Sequence, residues 1–160
     1  MVGFVAQTNP LTAKWRRFDK GVSRVHSALS ATPSVEMHDA AGAALDALYE
    51  LWEYWSAKAE PKPNENAFVR GDTDGETTAA LVYARGAGYH RVFQEHGDLT
   101  NTYSATYHGY YGSWRWEHFS DPKYPERERW YETHVAEREV IEPFKTARCW
   151  LSAQPELRRP

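Results

Sequence analysis

The sequence predicts an all-α domain, an antiparallel four-helix bundle with an aromatic-rich insert between its third and fourth helices. Apolar residues recur at steps of three and four along most of the chain, a spacing typical of helices that bury one face. Breaks rich in proline and glycine divide these stretches into four. A chain of 160 residues can bury a core of its own. We therefore expect one domain over residues 1–160, with an extended arm at 1–10 and a polar tail at 155–160.

The first two helices are predicted at about 11–29 and 35–58. Ser34 is suited to cap the second helix, and the prolines at 61–63 end it. The predicted apolar stripes are Trp15, Phe18, Val22, Val25 and Leu29 in the first helix, and Ala41, Leu45, Leu48, Trp52 and Trp55 in the second.

The third helix is predicted at about 76–96. Thr73 and Glu76 have the spacing of a capping box at its start, and Gly97 is placed to cap its end. The fourth helix begins at Pro125, because proline suits the first helical position, and Pro143 should kink or restart it.

The insert at 99–124 holds much of the chain's 14% aromatic content. We predict a long loop with a short hairpin that turns near Gly112 and Ser113. Trp114, Arg115 and Trp116 would then form a stacking platform for single-stranded RNA or a surface for a protein partner. The other interpretation places the two indoles in the core, and it is favoured because exposed aromatic surface promotes aggregation.

Composition excludes several classes of protein. The only cysteine is Cys149, so neither a disulfide within the chain nor a cysteine-based zinc site is expected. The net charge of -3 argues against a strongly basic nucleic-acid binder. The sequence shows neither an apolar run of about 20 residues nor a secretory signal. We expect a cytoplasmic protein with no membrane partner and no cofactor.

No metal site is predicted either. His134 and Glu137 share one helical face, as do Glu50 and Glu53. Di-iron bundles use the order Glu-x-x-His on two helices and a further Glu on each of the other two. The chain has no Glu-x-x-His, so solvated charges are the better interpretation of both pairs.

The strongest chemical motif is Arg85 followed five positions later by His90 on the third helix. A histidine with a pKa near neutrality can transfer protons at the 2′-hydroxyl and the leaving oxygen of RNA. An arginine can hold the phosphate oxygens through two parallel hydrogen bonds and offset the charge of the transition state. This chemistry needs no metal ion.

On these residues the chain resembles the HEPN superfamily, whose members are helical bundles and in many cases metal-independent endoribonucleases. The resemblance covers the bundle outline and this one motif. It implies that Arg85 is the phosphate clamp and His90 the general acid or base, in a composite site across a homodimer. The family commonly has Asn or Asp after the arginine, where this chain has Gly86. The resemblance also implies a toxin or defence role, with an antitoxin as partner.

Two functions follow as hypotheses. The first is a HEPN-like ribonuclease whose substrate-binding residues are Tyr89, Arg91, His96, Trp114, Arg115 and Trp116. Arg91 and His96 repeat the spacing of Arg85 and His90 and are the second choice for the catalytic pair. The alternative is a non-catalytic interaction protein that binds a protein partner through the aromatic insert or its helix faces. Gly86 and the acidic net charge favour that alternative.

Overall fold

The computed structural model describes residues 9–30, 34–86, 93–96 and 113–157. This part of the chain is mostly helical, which confirms the predicted class, while the antiparallel four-helix arrangement stays a prediction. The elements are α1 (Pro10–Ala28), α2 (Ser34–Ser56), α3 (Asn66–Val69), α4 (Thr73–Gly86), β1 (Phe93–His96), β2 (Ser113–Trp116), α5 (Pro125–His134) and α6 (Ile141–Ala153).

Helices α1 and α2 pack closely together. Helix α1 begins as a proline-led helix should, with Asn9 Oδ1 accepting the Leu11 N–H at 3.0 Å. A Cβ at Gly21 would lie only 3.1 Å from the Ala44 Cα. Glycine at position 21 therefore allows the close approach of α1 and α2. The predicted stripes are buried at most positions, but Leu29 is largely exposed.

Helix α4 starts three residues earlier than predicted, and its cap is Asp72 rather than Thr73. The Oδ1 atom of Asp72 accepts the N–H groups of Asp74 and Gly75 at 3.1 and 3.2 Å. Glu76 does reach back, as a capping box requires, but its Oε1 accepts the Gly71 N–H. An aspartate directly before the first helical residue takes the capping role, and Thr73 becomes the first residue of the helix.

The predicted end of the third helix is wrong. Phe93–His96 is a strand, paired antiparallel with Ser113–Trp116 in the register Phe93 to Trp116 and His96 to Ser113. His96 therefore ends no helix, and the turn expected near Gly112 and Ser113 is contradicted at Ser113, which begins β2. Residues 87–92 and 97–112 lie outside the described residues. The pairing is non-local, so helical periodicity in one segment could not reveal it.

Strand β2 is bonded on its second edge to the turn between α5 and α6. The Val140 N–H donates to the Trp114 carbonyl at 2.8 Å, and the Glu137 N–H donates to the Trp116 carbonyl at 2.9 Å. Glu137 has a φ of 63°, in the left-handed region. This turn divides the predicted fourth helix in two, and Pro143 lies in the first turn of α6, where proline is tolerated.

The core joins α1, α2, α4, α5 and α6 with strand β2. An indole cluster lies within it, with Trp52 and Trp150 stacked at 6.2 Å and 30° and Trp55 edge-on to Trp52. The Trp150 indole N–H donates to Asp72 Oδ2 at 2.8 Å. Across the described ranges, no helix is both long and apolar enough to cross a membrane.

Candidate functional site

Arg85 lies in the last turn of α4 and contacts α2. Its Nε donates to Asp46 Oδ1 at 3.1 Å, and its guanidinium carbon lies 4.5 Å from the Tyr49 ring centroid. The side chain is still 42% exposed. An ion pair in such an exposed position is worth about 0–1 kcal/mol, so an incoming phosphate can compete for the guanidinium.

Arg85 borders an open polar groove of about 730 Å³. The groove lies between the C-terminal parts of α2 and α4, helix α3, and the segment that leads into α5. Its polar lining consists mainly of Tyr49, Glu53, Asn64, Asn66, Arg70, Tyr83, Arg85, Asp121, Tyr124, Glu126 and Arg127.

One wall of the groove is a bonded network of charged and amide side chains. Arg70 holds Glu126 with two hydrogen bonds, Nε to Oε1 at 2.8 Å and Nη2 to Oε2 at 3.0 Å. The same Oε2 accepts the Asn66 Nδ2 at 2.8 Å. These bonds lower the pKa of Glu126, with the Arg70 hydrogen bond as the largest cause. Glu126 is therefore an ionised carboxylate whose charge is balanced by Arg70.

Arg127 continues this network without a carboxylate. Its Nε donates to Asn66 Oδ1 at 3.0 Å, and its Nη2 donates to the Asn64 carbonyl. In the part of the chain that the structure describes, no acidic side chain lies within ion-pair distance of this guanidinium. Burial lowers the pKa of Arg127, and the nearby Tyr124 and Glu53 act against that effect. A guanidinium stays charged even so, which leaves a half-buried cation that only neutral groups bond.

Tyr83 supplies a hydroxyl to the same groove. Its ring is buried and stacked on Phe119 at 4.9 Å and 19°, and its oxygen accepts the Asp121 N–H at 2.9 Å. Burial, the largest cause, raises the pKa of Tyr83. The hydroxyl is thus protonated at neutral pH, and no acceptor for its proton is found among the described residues.

Of the other predicted site residues, the structure describes those on β1 and β2. His90, Tyr89 and Arg91 lie outside the described residues, and His96 is the last residue of β1. Arg115 is exposed on β2, with its Nη1 3.4 Å from the Glu137 carbonyl. Among the described residues, the groove therefore contains only Arg85 of the predicted set.

Trp114 and Trp116 are core residues, and their assignment as a stacking platform is corrected. Trp116 is 1% exposed and donates its indole N–H to the Val140 carbonyl at 3.1 Å. Trp114 is buried edge-on against the His38 ring at 5.1 Å. Neither indole offers a free face to a base, because strand alternation turns both into the core on the same side of β2.

The groove residues that sequence reasoning missed are Arg127 and Asn66. One local signal was present. Arg127 lies in the first turn of α5, where a cation opposes the positive end of the helix dipole. Because a cation there does not stabilise the helix, its presence indicates a role outside helix α5. Asn66 gave no comparable signal, because its two partners are about 60 residues away in sequence.

Two histidines form local carboxylate contacts outside the groove. His118 bonds Glu132 through Nδ1 and Glu137 through Nε2, and His134 bonds Glu76 at 3.1 Å. Within the described ranges, no three His, Cys, Asp or Glu side chains form a group that could hold a metal ion. These contacts are ion pairs and hydrogen bonds that join elements of the fold.

Comparison of the chain with models of protein families gives no match. Comparison with curated proteins and with solved structures gives none either. The case for a function therefore depends on the residues and on the geometry of the groove.

Proposed function

We propose that the chain is a metal-independent, HEPN-like endoribonuclease, with Arg85 as phosphate clamp and His90 as general acid or base. The observation that carries the proposal is the position of Arg85 at the edge of an open polar groove, in an exposed ion pair with Asp46 that a phosphate can replace. The bundle outline, the homodimer and the toxin or defence role belong to the same proposal, as the resemblance implies them.

The chemistry proposed is transesterification. The 2′-hydroxyl oxygen attacks the adjacent phosphorus, the bond from phosphorus to the 5′-oxygen breaks, and a 2′,3′-cyclic phosphate and a 5′-hydroxyl result. His90 either takes the proton of the 2′-hydroxyl or gives one to the 5′-oxygen, and water makes the proton transfer at the other oxygen. Arg85 leaves Asp46 and donates two parallel N–H groups to the phosphate oxygens, where negative charge grows in the transition state.

The competing function is the non-catalytic interaction protein. The contacts of Arg85 with Asp46 and Tyr49 favour it, because they are also what a structural arginine joining α4 to α2 would make. Burial of Trp114 and Trp116 removes two of the aromatic side chains through which such a protein would bind its partner.

The test is RNA cleavage in the presence of a metal chelator, with tRNA, mRNA and short single strands as substrates. Folded Arg85→Ala and His90→Ala variants should each lose about 100-fold or more of the wild-type rate. Arg16→Ala, at an exposed position on α1, is the matched arginine control and should cleave like the wild type. The wild-type products should end in cyclic phosphate.

A further variant separates the two roles of Arg85. Asp46→Asn removes the competing carboxylate and leaves the arginine in place. A phosphate clamp predicts that Asp46→Asn still cleaves RNA, whereas a structural arginine predicts a loss like that of Arg85→Ala. Absence of cleavage by the wild type on all three RNA classes would refute the nuclease proposal.

A further inference from the structure

Arg127 has the features of an anion-binding arginine that is held ready for its ligand. Its Nε and Nη2 are bonded to amide and carbonyl oxygens, and its Nη1 has no acceptor among the described residues. The charge of Arg70, by contrast, is balanced by an ion pair with the Glu126 carboxylate. In the described part of the chain no carboxylate lies within ion-pair distance of Arg127, although burial makes an uncompensated charge costly.

Asn66 fixes the position of this guanidinium. Its Nδ2 donates to Glu126, so its Oδ1 must face the other way, toward the Arg127 Nε. Glu126 is in turn held by Arg70 through two bonds. Because the arginine is oriented before a ligand arrives, less conformational entropy is lost on binding.

The ligand chemistry follows from what surrounds Arg127. A guanidinium fork matches two oxygens of a phosphate, and the protonated Tyr83 hydroxyl in the same groove can donate a further hydrogen bond. Tyr124 also borders the groove and is 44% exposed, with the Lys123 ammonium 5.2 Å from its ring centroid and the Tyr83 ring packed against it. An unpaired base can stack on the part of the ring that these contacts leave exposed. Phosphate and unpaired base together describe a single-stranded nucleic acid.

Glu53 lines the groove, as do the acidic side chains of Glu65, Asp121 and Glu126. Glu53 lies beyond ion-pair distance of Arg127 but close enough to raise the pKa of its guanidinium. A carboxylate in this position repels a phosphate and would favour a cationic ligand instead. Its removal should therefore change affinity in opposite directions for the two kinds of ligand.

We infer that Arg127 binds a backbone phosphate of single-stranded RNA in the groove that Arg85 borders, with Tyr124 stacking on an adjacent base. The inference rests on the proposed function, since it names the substrate class of that same site. It adds a substrate-binding residue on α5 that acts on affinity and not on the proton transfers.

The experiment measures binding of a labelled single strand whose 2′-oxygens are all methylated, so that it cannot be cleaved. We expect Arg127→Gln to raise Kd about 10-fold and to lower the slope of log K against log salt by about 1. Tyr124→Leu should raise Kd about 5-fold or more. Arg129→Gln, an exposed arginine on the same helix, is the control and should stay within about twofold of the wild type.

Two further variants guard against a folding artefact. Arg127→Lys keeps the charge and removes the fork, and it should fold like the wild type while binding RNA more weakly. Glu53→Gln should tighten binding. Weaker binding by Glu53→Gln would overturn the inference, because the groove would then prefer a cationic ligand, and so would equal binding of single strand and duplex.

The outcomes separate this inference from the proposed function. Cleavage by the wild type together with unchanged binding by Arg127→Gln would refute the role of Arg127 and leave the nuclease standing. Binding that depends on Arg127 without any cleavage would refute the nuclease and leave the single-strand site standing. Absence of binding by the wild type would refute the inference itself.

Discussion

Asp72 is the residue on which two elements depend most directly. One carboxylate oxygen caps α4, and the other accepts the indole N–H of Trp150 from α6. The capping-box spacing of Thr73 and Glu76 predicts the cap one residue later. The bond to Trp150 spans 78 positions and has no local sign in the sequence.

Asp72→Ala should lower the free energy of unfolding by about 2–4 kcal/mol. About 1 kcal/mol comes from the lost cap, and the rest from leaving the Trp150 N–H without a partner. Urea unfolding measures the difference. Asp74→Ala, two residues further along the chain, removes only a favourable charge near the start of α4 and should cost less than about 1 kcal/mol. Equal losses in the two variants would contradict the double role of Asp72.

His118 should titrate above the usual range of a histidine. The largest cause of its raised pKa is the hydrogen bond that the Glu137 carboxylate accepts from the ring, and the second is the hydrogen bond to Glu132. Because the folded-state pKa lies above the unfolded value of about 6.5, the stabilisation is fully present below that pH and is lost as the pH rises through the folded-state pKa.

A titration of the His118 ring by NMR measures this pKa directly. Glu137→Gln should lower it more than Glu132→Gln does, and both should leave the fold intact because the side chains are exposed. The same pKa in the wild type and in both variants would show that the two carboxylates do not affect the pKa of the His118 ring.

At the scale of elements, the sequence could predict those helix boundaries that depend on residues close together in the chain. The extents of α1 and α2 and the start of α5 follow from periodicity, caps and proline, and the structure has them within about two residues. Helix α4 was predicted to continue to His96. Its last part is instead strand β1, since pairing with β2 overrides local propensity.

Close approach of α1 and α2 depends on Gly21. Gly21→Ala should lower the free energy of unfolding by about 1 kcal/mol, because overpacking of about 1–3 kcal/mol exceeds a gain in helix propensity of about 1 kcal/mol. Gly86→Ala is the matched control, since a Cβ there meets nothing within 4 Å. It should be neutral or stabilising by up to about 1 kcal/mol.

Chemical denaturation of the two variants beside the wild type gives the comparison. Gly86 is the last residue of α4, so alanine gains less helix propensity there than at Gly21 inside α1. The difference between the two variants is therefore a lower bound on the cost of the contact with Ala44. A Gly21→Ala protein as stable as Gly86→Ala would mean that α1 and α2 can move apart without loss.

At the scale of the whole molecule, distant segments build the groove. Asn66 and Arg70 meet Glu126 and Arg127 across 56 to 61 positions of sequence. The motif at Arg85 could be found by its spacing, because both of its members were expected on one helix. The set around Arg127 could not, because no rule of spacing relates α3 to the first turn of α5.

The proposed composite site makes a prediction about mixed subunits. Arg85→Ala and His90→Ala proteins should each be inactive, yet a mixture that exchanges subunits should regain about a quarter of the wild-type activity. Half of the dimers would then be mixed, and each would hold one intact site of two. Cleavage assays on mixed samples, with sedimentation to confirm the dimer, provide the measurement. A mixture as inactive as its components would exclude a shared site.

The indole cluster of α2 and α6 has an optical consequence. Trp52 and Trp150 are 98 positions apart in sequence but stacked 6.2 Å apart at a tilt of 30°. Trp55 lies 6.2 Å from Trp52 and 6.1 Å from Trp150 as well, so the three indoles share their electronic excitation, and the near-ultraviolet circular dichroism contains a signal that belongs to the cluster. The protein thus carries an intrinsic reporter of whether α6 is docked on α2, separate from the far-ultraviolet signal of its helices.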